Sequence, residues 1–181
     1  MRVNIEISEA SYSRFSSVKL CYTDSGGNET KVDLDIDFLP LYDFAKDTRS
    51  ARFDFFLISS FVYGIDNLLN RELFSVDGWA REIEVVFPVN NHDLWQGSED
   101  LLSDTLKFLT GDYWSVTFEK LNINDFFIEK DRRWSRNIPI YDKKKIKSVN
   151  LFSGGLDSLI GAINATHNLA NNEKIILASH F

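Results

Sequence analysis

Val149-Asn150-Leu151-Phe152-Ser153-Gly154-Gly155-Leu156-Asp157-Ser158-Leu159-Ile160 is the stretch that decides how this chain is read. An apolar strand runs into Ser-Gly-Gly-x-Asp-Ser, and a helix is expected at once. Two adjacent glycines allow consecutive backbone N–H groups to turn toward one point, and a helix N-terminus adds partial positive charge there. Ser153 and Ser158 supply further hydroxyl donors. The result is a cradle for an anion. A Walker nucleotide loop is excluded, because it needs Lys directly after its last glycine and Leu156 stands there.

Working outward, 148–152 reads as a strand, 158–170 as a helix and 174–180 as a second strand, apolar through Ile175, Ile176, Leu177 and Ala178. Leu159, Ala162, Ile163, Ala165 and Thr166 are expected to form the helix's inner side, and Asn171-Asn172 to end it. This is the opening β-α-β of a parallel sheet, with a right-handed crossover expected. A parallel sheet needs several strands and helices on both faces. The expectation is therefore an incomplete domain over 148–181, with the remainder following Phe181 or supplied by another polypeptide.

Residues 1–129 read as an α+β domain with a mainly antiparallel sheet. Val3, Ile5 and Ile7 alternate with polar residues, as do Val18, Leu20 and Tyr22, and then Val32, Leu34, Ile36 and Phe38. Asp24-Ser25-Gly26-Gly27-Asn28 is a hairpin turn between the last two strands. Asp33, Asp35 and Asp37 fall on the opposite face of the third strand and are read as solvated rather than as a metal site. A helix over 52–70 carries Ile58, Phe61, Val62, Ile65, Leu68 and Leu69 at helical spacing. A strand over 79–87 points Ile83, Val85 and Phe87 inward, and Pro88 is expected to stop it. Ser98 is placed as the cap of a helix that buries Leu101, Leu102, Leu106 and Leu109 and ends near Gly111. Trp114, Val116 and Phe118 mark one more strand. Trp79, Trp95 and Trp114 are read as core or edge anchors, and His92 as a loop residue.

The 181 residues, 44% hydrophobic and 14% aromatic, suffice for a packed core. A lone Cys21 excludes an internal disulfide and a cysteine-based zinc site. No apolar run reaches membrane-span length and the N-terminus lacks a signal-peptide core, which points to the cytoplasm and away from membranes. Net charge is −7 and uneven: 15 Lys/Arg against 24 Asp/Glu over 1–140, and 5 against 3 over 141–181. So acidic a body disfavours nucleic acid. The basic segment 130–147, with Arg132, Arg133, Arg136, Lys143, Lys144 and Lys145, is read as a solvated linker in preference to a docking strip for a polyanion or acidic partner.

Ser153-Gly154-Gly155-Leu156-Asp157-Ser158 resembles the pyrophosphate loop of the ATP pyrophosphatases. Five fixed positions, at about 7% usage each, coincide by chance in roughly 3 in 10,000 chains of this length. Over its length the chain resembles the QueC-like proteins, relatives of 7-cyano-7-deazaguanine synthase, particularly those of antiphage defence clusters such as the Qat system. Asp54-Phe55-Phe56, Gly78-Trp79-Ala80-Arg81-Glu82-Ile83, Phe108-Leu109-Thr110-Gly111-Asp112, Arg133-Trp134-Ser135-Arg136-Asn137-Ile138-Pro139, the stretch from Leu151 to Ile163 and Ser179-His180 carry the likeness.

The resemblance implies an adenine nucleotide alpha hydrolase-like domain that uses ATP and Mg2+. A 7-deazaguanine carboxylate would be adenylated with release of pyrophosphate, then attacked by ammonia or an amine. It implies that Ser153, Gly154, Gly155, Leu156, Asp157 and Ser158 hold the phosphates. Asp157 would be the catalytic residue and magnesium ligand, and Ser179 and His180 would lie near the adenosine. A protein partner from the same cluster is also implied. The synthases carry a zinc-binding cysteine cluster in their C-terminal part, and those ligands are absent from this chain. Two other readings stay open: another pyrophosphatase-loop ligase of tRNA-modifying or amidotransferase type, and a non-catalytic partner-docking protein with a vestigial loop.

Overall fold

The computed structural model describes residues 1–8, 17–23, 26–34, 48–123 and 143–179. The chain divides into two compact units, Met1–Asn137 and Ile138–Phe181. Both mix helices with β-sheet, and parallel strand pairs occur in each.

In the first unit, β1 (Arg2–Ser8), β2 (Ser17–Thr23), β3 (Glu29–Asp33), β4 (Glu82–Val89) and β5 (Tyr113–Lys120) form one sheet in the order β3-β2-β1-β4-β5. β1 and β2 pair antiparallel with Ile5 opposite Leu20, and β2 and β3 likewise with Tyr22 opposite Thr30. The other half runs parallel: β4 pairs with β5 along its whole length, Val85 opposite Val116, and with β1 at Arg2↔Glu84 and Val3↔Val85. The sheet is therefore mixed, not mainly antiparallel. Side-chain alternation reports which face a residue takes but not strand direction. Here the direction is set by a crossover helix between β4 and β5.

The long helix α1 (Ala51–Leu68) lays Phe53, Leu57, Ile58, Phe61 and Ile65 on the sheet at three- and four-residue spacing. Phe61 stacks on Phe87 of β4 with ring centroids 6.3 Å apart. Val3, Ile5, Val18, Leu20, Ile83, Val85, Trp114, Val116 and Phe118 complete the core from the strands. Gly64 lets α1 sit close: a Cβ there would collide with Leu34 and press on Leu20. Val32 of β3 is half exposed, and Leu34, just past the strand, is the residue that reaches the core. Asp35, Ile36, Asp37 and Phe38 lie outside the described residues.

Pro88 does not stop β4; it is buried within it, opposite Glu119. Tyr113 and Leu121 donate N–H to the carbonyls of Arg81 and Val89, so odd-numbered β4 residues face β5. Glu84 donates to the Met1 carbonyl, so even-numbered ones face β1. The missing N–H of Pro88 thus falls on the β1 side, beyond the two residues where that ladder pairs.

Two one-turn helices, α2 (Arg71–Phe74) and α3 (His92–Trp95), flank β4 in the chain, and α4 (Glu99–Thr110) leads to β5. Leu106 of α4 is buried and Leu102 half-buried, but Leu101 and Leu109 are 72% and 69% exposed. The helix rests on a single edge strand, so one i, i+4 stripe is all it can cover. Ser98 occupies the N-cap position without a side-chain capping bond; instead the Glu99 carboxylate accepts the Gly97 N–H at 2.7 Å. Gly111 ends the helix in the left-handed conformation, φ +76°, as its position suggested. Trp114 is buried and Trp95 half-buried, whereas Trp79 is largely exposed with the Arg71 guanidinium 5.7 Å from its ring. Among the described residues no helix is long and apolar enough to cross a membrane.

The second unit pairs β6 (Ile146–Leu151) with β7 (Lys174–Ala178) in parallel, Val149 opposite Ile176, with α5 (Leu156–His167) between them. The helix begins two residues before the expected start and ends three before the expected end. The turn after it includes Asn172 at φ +73°. Lys143–Lys145 forms a 3-10 turn leading directly into β6, so the expected linker's last residues belong to this unit. Ala162 packs inward as expected, but Leu159 and Ile163 stay about half exposed, as do Ile160 and Leu177, while Val149, Leu151 and Leu156 are more open still. Two strands present too little surface to cover a helix's apolar side.

Candidate functional site

The Ser153–Ser158 segment is built by two requirements on the backbone. β6 stays paired to its end, where the Phe152 N–H donates to the Ala178 carbonyl of β7 at 2.7 Å. The chain must then reverse into α5 within three residues. Gly154 makes the turn at φ +78°, a conformation that costs any other L-residue about 1–2 kcal/mol. Gly155 follows as the N-cap at φ −80°, ψ 165°, which any residue adopts. A Cβ built on Gly155 meets only the Ser153 hydroxyl, at 3.6 Å, which is ordinary contact.

The first helical amides, those of Leu156, Asp157 and Ser158, have no carbonyl one turn earlier to bond. The first to find one is Leu159, whose N–H donates to the Gly155 carbonyl at 3.1 Å. The hydroxyls bond inside the loop: Ser158 Oγ donates to the Gly155 carbonyl at 2.8 Å, and Ser153 Oγ to Ser158 Oγ at 3.3 Å. Ser153, Gly154, Gly155, Leu156 and Asp157 are exposed and Ser158 is half-buried. The structure thus brings these six residues together at an open helix N-terminus. Ser179 follows Ala178 directly and is exposed at the same end of the two-stranded sheet. His180 lies outside the described residues.

Asp157 sits in the first turn of α5, where the helix dipole favours a carboxylate. No group of three or more His, Cys, Asp or Glu side chains suited to a metal occurs among the described residues. A single carboxylate in the first turn of a helix is compatible with Mg2+, which keeps most of its shell as water and needs few protein ligands. Zinc does not fit: the one cysteine, Cys21, is buried in β2 of the other unit.

The strongest charge clusters of the first unit escaped the sequence reading as such. Asp54, fully buried, accepts from the backbone and side-chain N–H groups of Asn90 and Asn91 at 2.8–2.9 Å and from Trp95 Nε1 at 3.3 Å. Arg81, also fully buried, donates to Asp112, Asp66 and the Leu69 carbonyl, while Arg71 adds bonds to Asp112 at 2.8 and 3.1 Å. Burial pushes the Asp112 carboxyl up, but bonds from the Arg81 side chain and N–H outweigh it and hold it below the usual carboxylate range. Burial likewise disfavours the charge on Arg81, and Asp112 and Asp66 more than restore it. These groups are satisfied within the fold and none is free to turn toward a ligand. Asp54, Arg81 and Asp112 each lie in one of the segments on which the expected resemblance rests. The available signal was a charged residue set among apolar ones, as in Phe53-Asp54-Phe55. His92, expected in a loop, instead opens the one-turn helix α3, half-buried, with its Nδ1 3.8 Å from the exposed Asp93 carboxylate.

Compared with known proteins, the chain matches no family model, no curated protein and no solved structure.

Proposed function

We propose that the segment from Ser153 to Ser158 clasps the β- and γ-phosphates of ATP and that the protein is a QueC-like, ATP-dependent C–N ligase. The observation that carries the reading is Gly155. Its own dihedrals and surroundings tolerate a side chain, so nothing in the fold demands glycine there. A phosphate group approaching the amides of Leu156, Asp157 and Ser158 does demand it, because a Cβ would stand in its path.

In the reaction, a carboxylate oxygen of a 7-deazaguanine acid attacks the α-phosphorus and the bond from that phosphorus to the bridging oxygen breaks. The acyl adenylate forms and pyrophosphate leaves. Ammonia or an amine then attacks the acyl carbon and AMP departs. The loop's part is electrostatic and positional: fixed N–H dipoles offset charge growing on the leaving pyrophosphate, without reorganising at that moment. Ser153 donates to a phosphate oxygen, and Ser158 does so on exchanging its bond to the Gly155 carbonyl. Asp157 holds the metal side of the nucleotide, directly or through water. Asp157 would hold magnesium there, and the ion would supply positive charge to offset that of the phosphates. By the sequence resemblance, Ser179 and His180 would make contacts near the adenosine. The deazaguanine substrate, a cytoplasmic setting and a role in antiphage defence with a partner from the same cluster rest on the sequence resemblance.

The test is release of AMP and pyrophosphate by the protein given ATP, Mg2+, a 7-carboxy-7-deazaguanine and an amine. Asp157→Ala and Gly155→Val should each lower release by about 100-fold or more while the far-ultraviolet circular dichroism is unchanged. Undiminished turnover in either variant rejects the site. Release with other acids but not the deazaguanine moves the protein to a different pyrophosphatase-loop ligase. Absence of any nucleotide uptake favours a docking protein with a vestigial loop.

A further inference from the structure

We draw no further inference here: the strongest candidate, the exposed apolar surface of the second unit formed by Val149 and Leu151 on β6 with Leu159, Ile160 and Ile163 on α5, carries nothing because no observation in the structure shows what covers it.

Discussion

The two units handle polar groups in opposite ways. In the first, Asp54, Arg81 and Asp112 are fully buried and saturated by hydrogen bonds, in a unit whose core holds nineteen apolar side chains among the described residues. In the second, Ser153, Asp157 and the first turn of α5 stand in the open, beside apolar residues that are mostly exposed as well. A buried charge with every lone pair taken holds a fold together. An exposed loop whose second glycine, Gly155, the backbone does not need is what the proposed phosphate clasp would use. The difference separates the residues that stabilise this protein from those proposed to act.

That contrast breaks most readily at Arg81. Arg81→Ala leaves Asp112 buried with its main counter-ion gone, which should cost about 3–5 kcal/mol in chemical denaturation of the first unit. An effect near zero would mean that the buried pair contributes nothing. Asp54→Ala removes one acceptor shared by Asn90, Asn91 and Trp95, and should cost about 2–3 kcal/mol. Neither variant should change phosphate binding per folded molecule, since both residues belong to the first unit and spend their hydrogen bonds within it.

Acid sharpens the same point. Asp112 has a depressed pKa in the folded state, so its stabilisation is fully present above the normal aspartate range and is lost as pH falls through the lower, folded value. Denaturation midpoints should therefore drop as pH falls below about 4. Asp112→Asn should start less stable and lose part of that acid dependence. The smallest stability effects belong to the second unit. Gly154→Ala should strain the turn by about 1–2 kcal/mol, while Gly155→Ala should change stability by under about 0.5 kcal/mol. If Gly155→Ala proves the more destabilising of the two, the backbone argument for the loop is wrong.

The loop was the most legible part of the chain, because glycine pairs and a following helix have few alternative physical meanings. Helix α1 and the inward residues Ile83, Val85 and Phe87 were equally readable, since periodicity reports burial directly. Strand direction was not. Yet a helix expected between the strands at 79–87 and 114–118 already implied a crossover, so the parallel β4/β5 pair was within reach. Pro88 misled because its effect depends on which edge its nitrogen faces, and only the pairing partners fix that. Leu101 and Leu109 misled because hydrophobicity does not say how many strands lie beneath a helix. Asp54 and Arg81 were hidden for a related reason: nothing local distinguishes a buried charge from a solvated one until its distant donors and acceptors, Asn90 and Asp112, are in place.

The most direct test of the pyrophosphate clasp is titration calorimetry of the folded protein with inorganic pyrophosphate and Mg2+, run beside Gly155→Val. Saturable binding at one site, abolished by the valine while thermal unfolding is unchanged, is the result the loop geometry predicts. Binding that is absent from the parent, or equal in parent and variant, would contradict it.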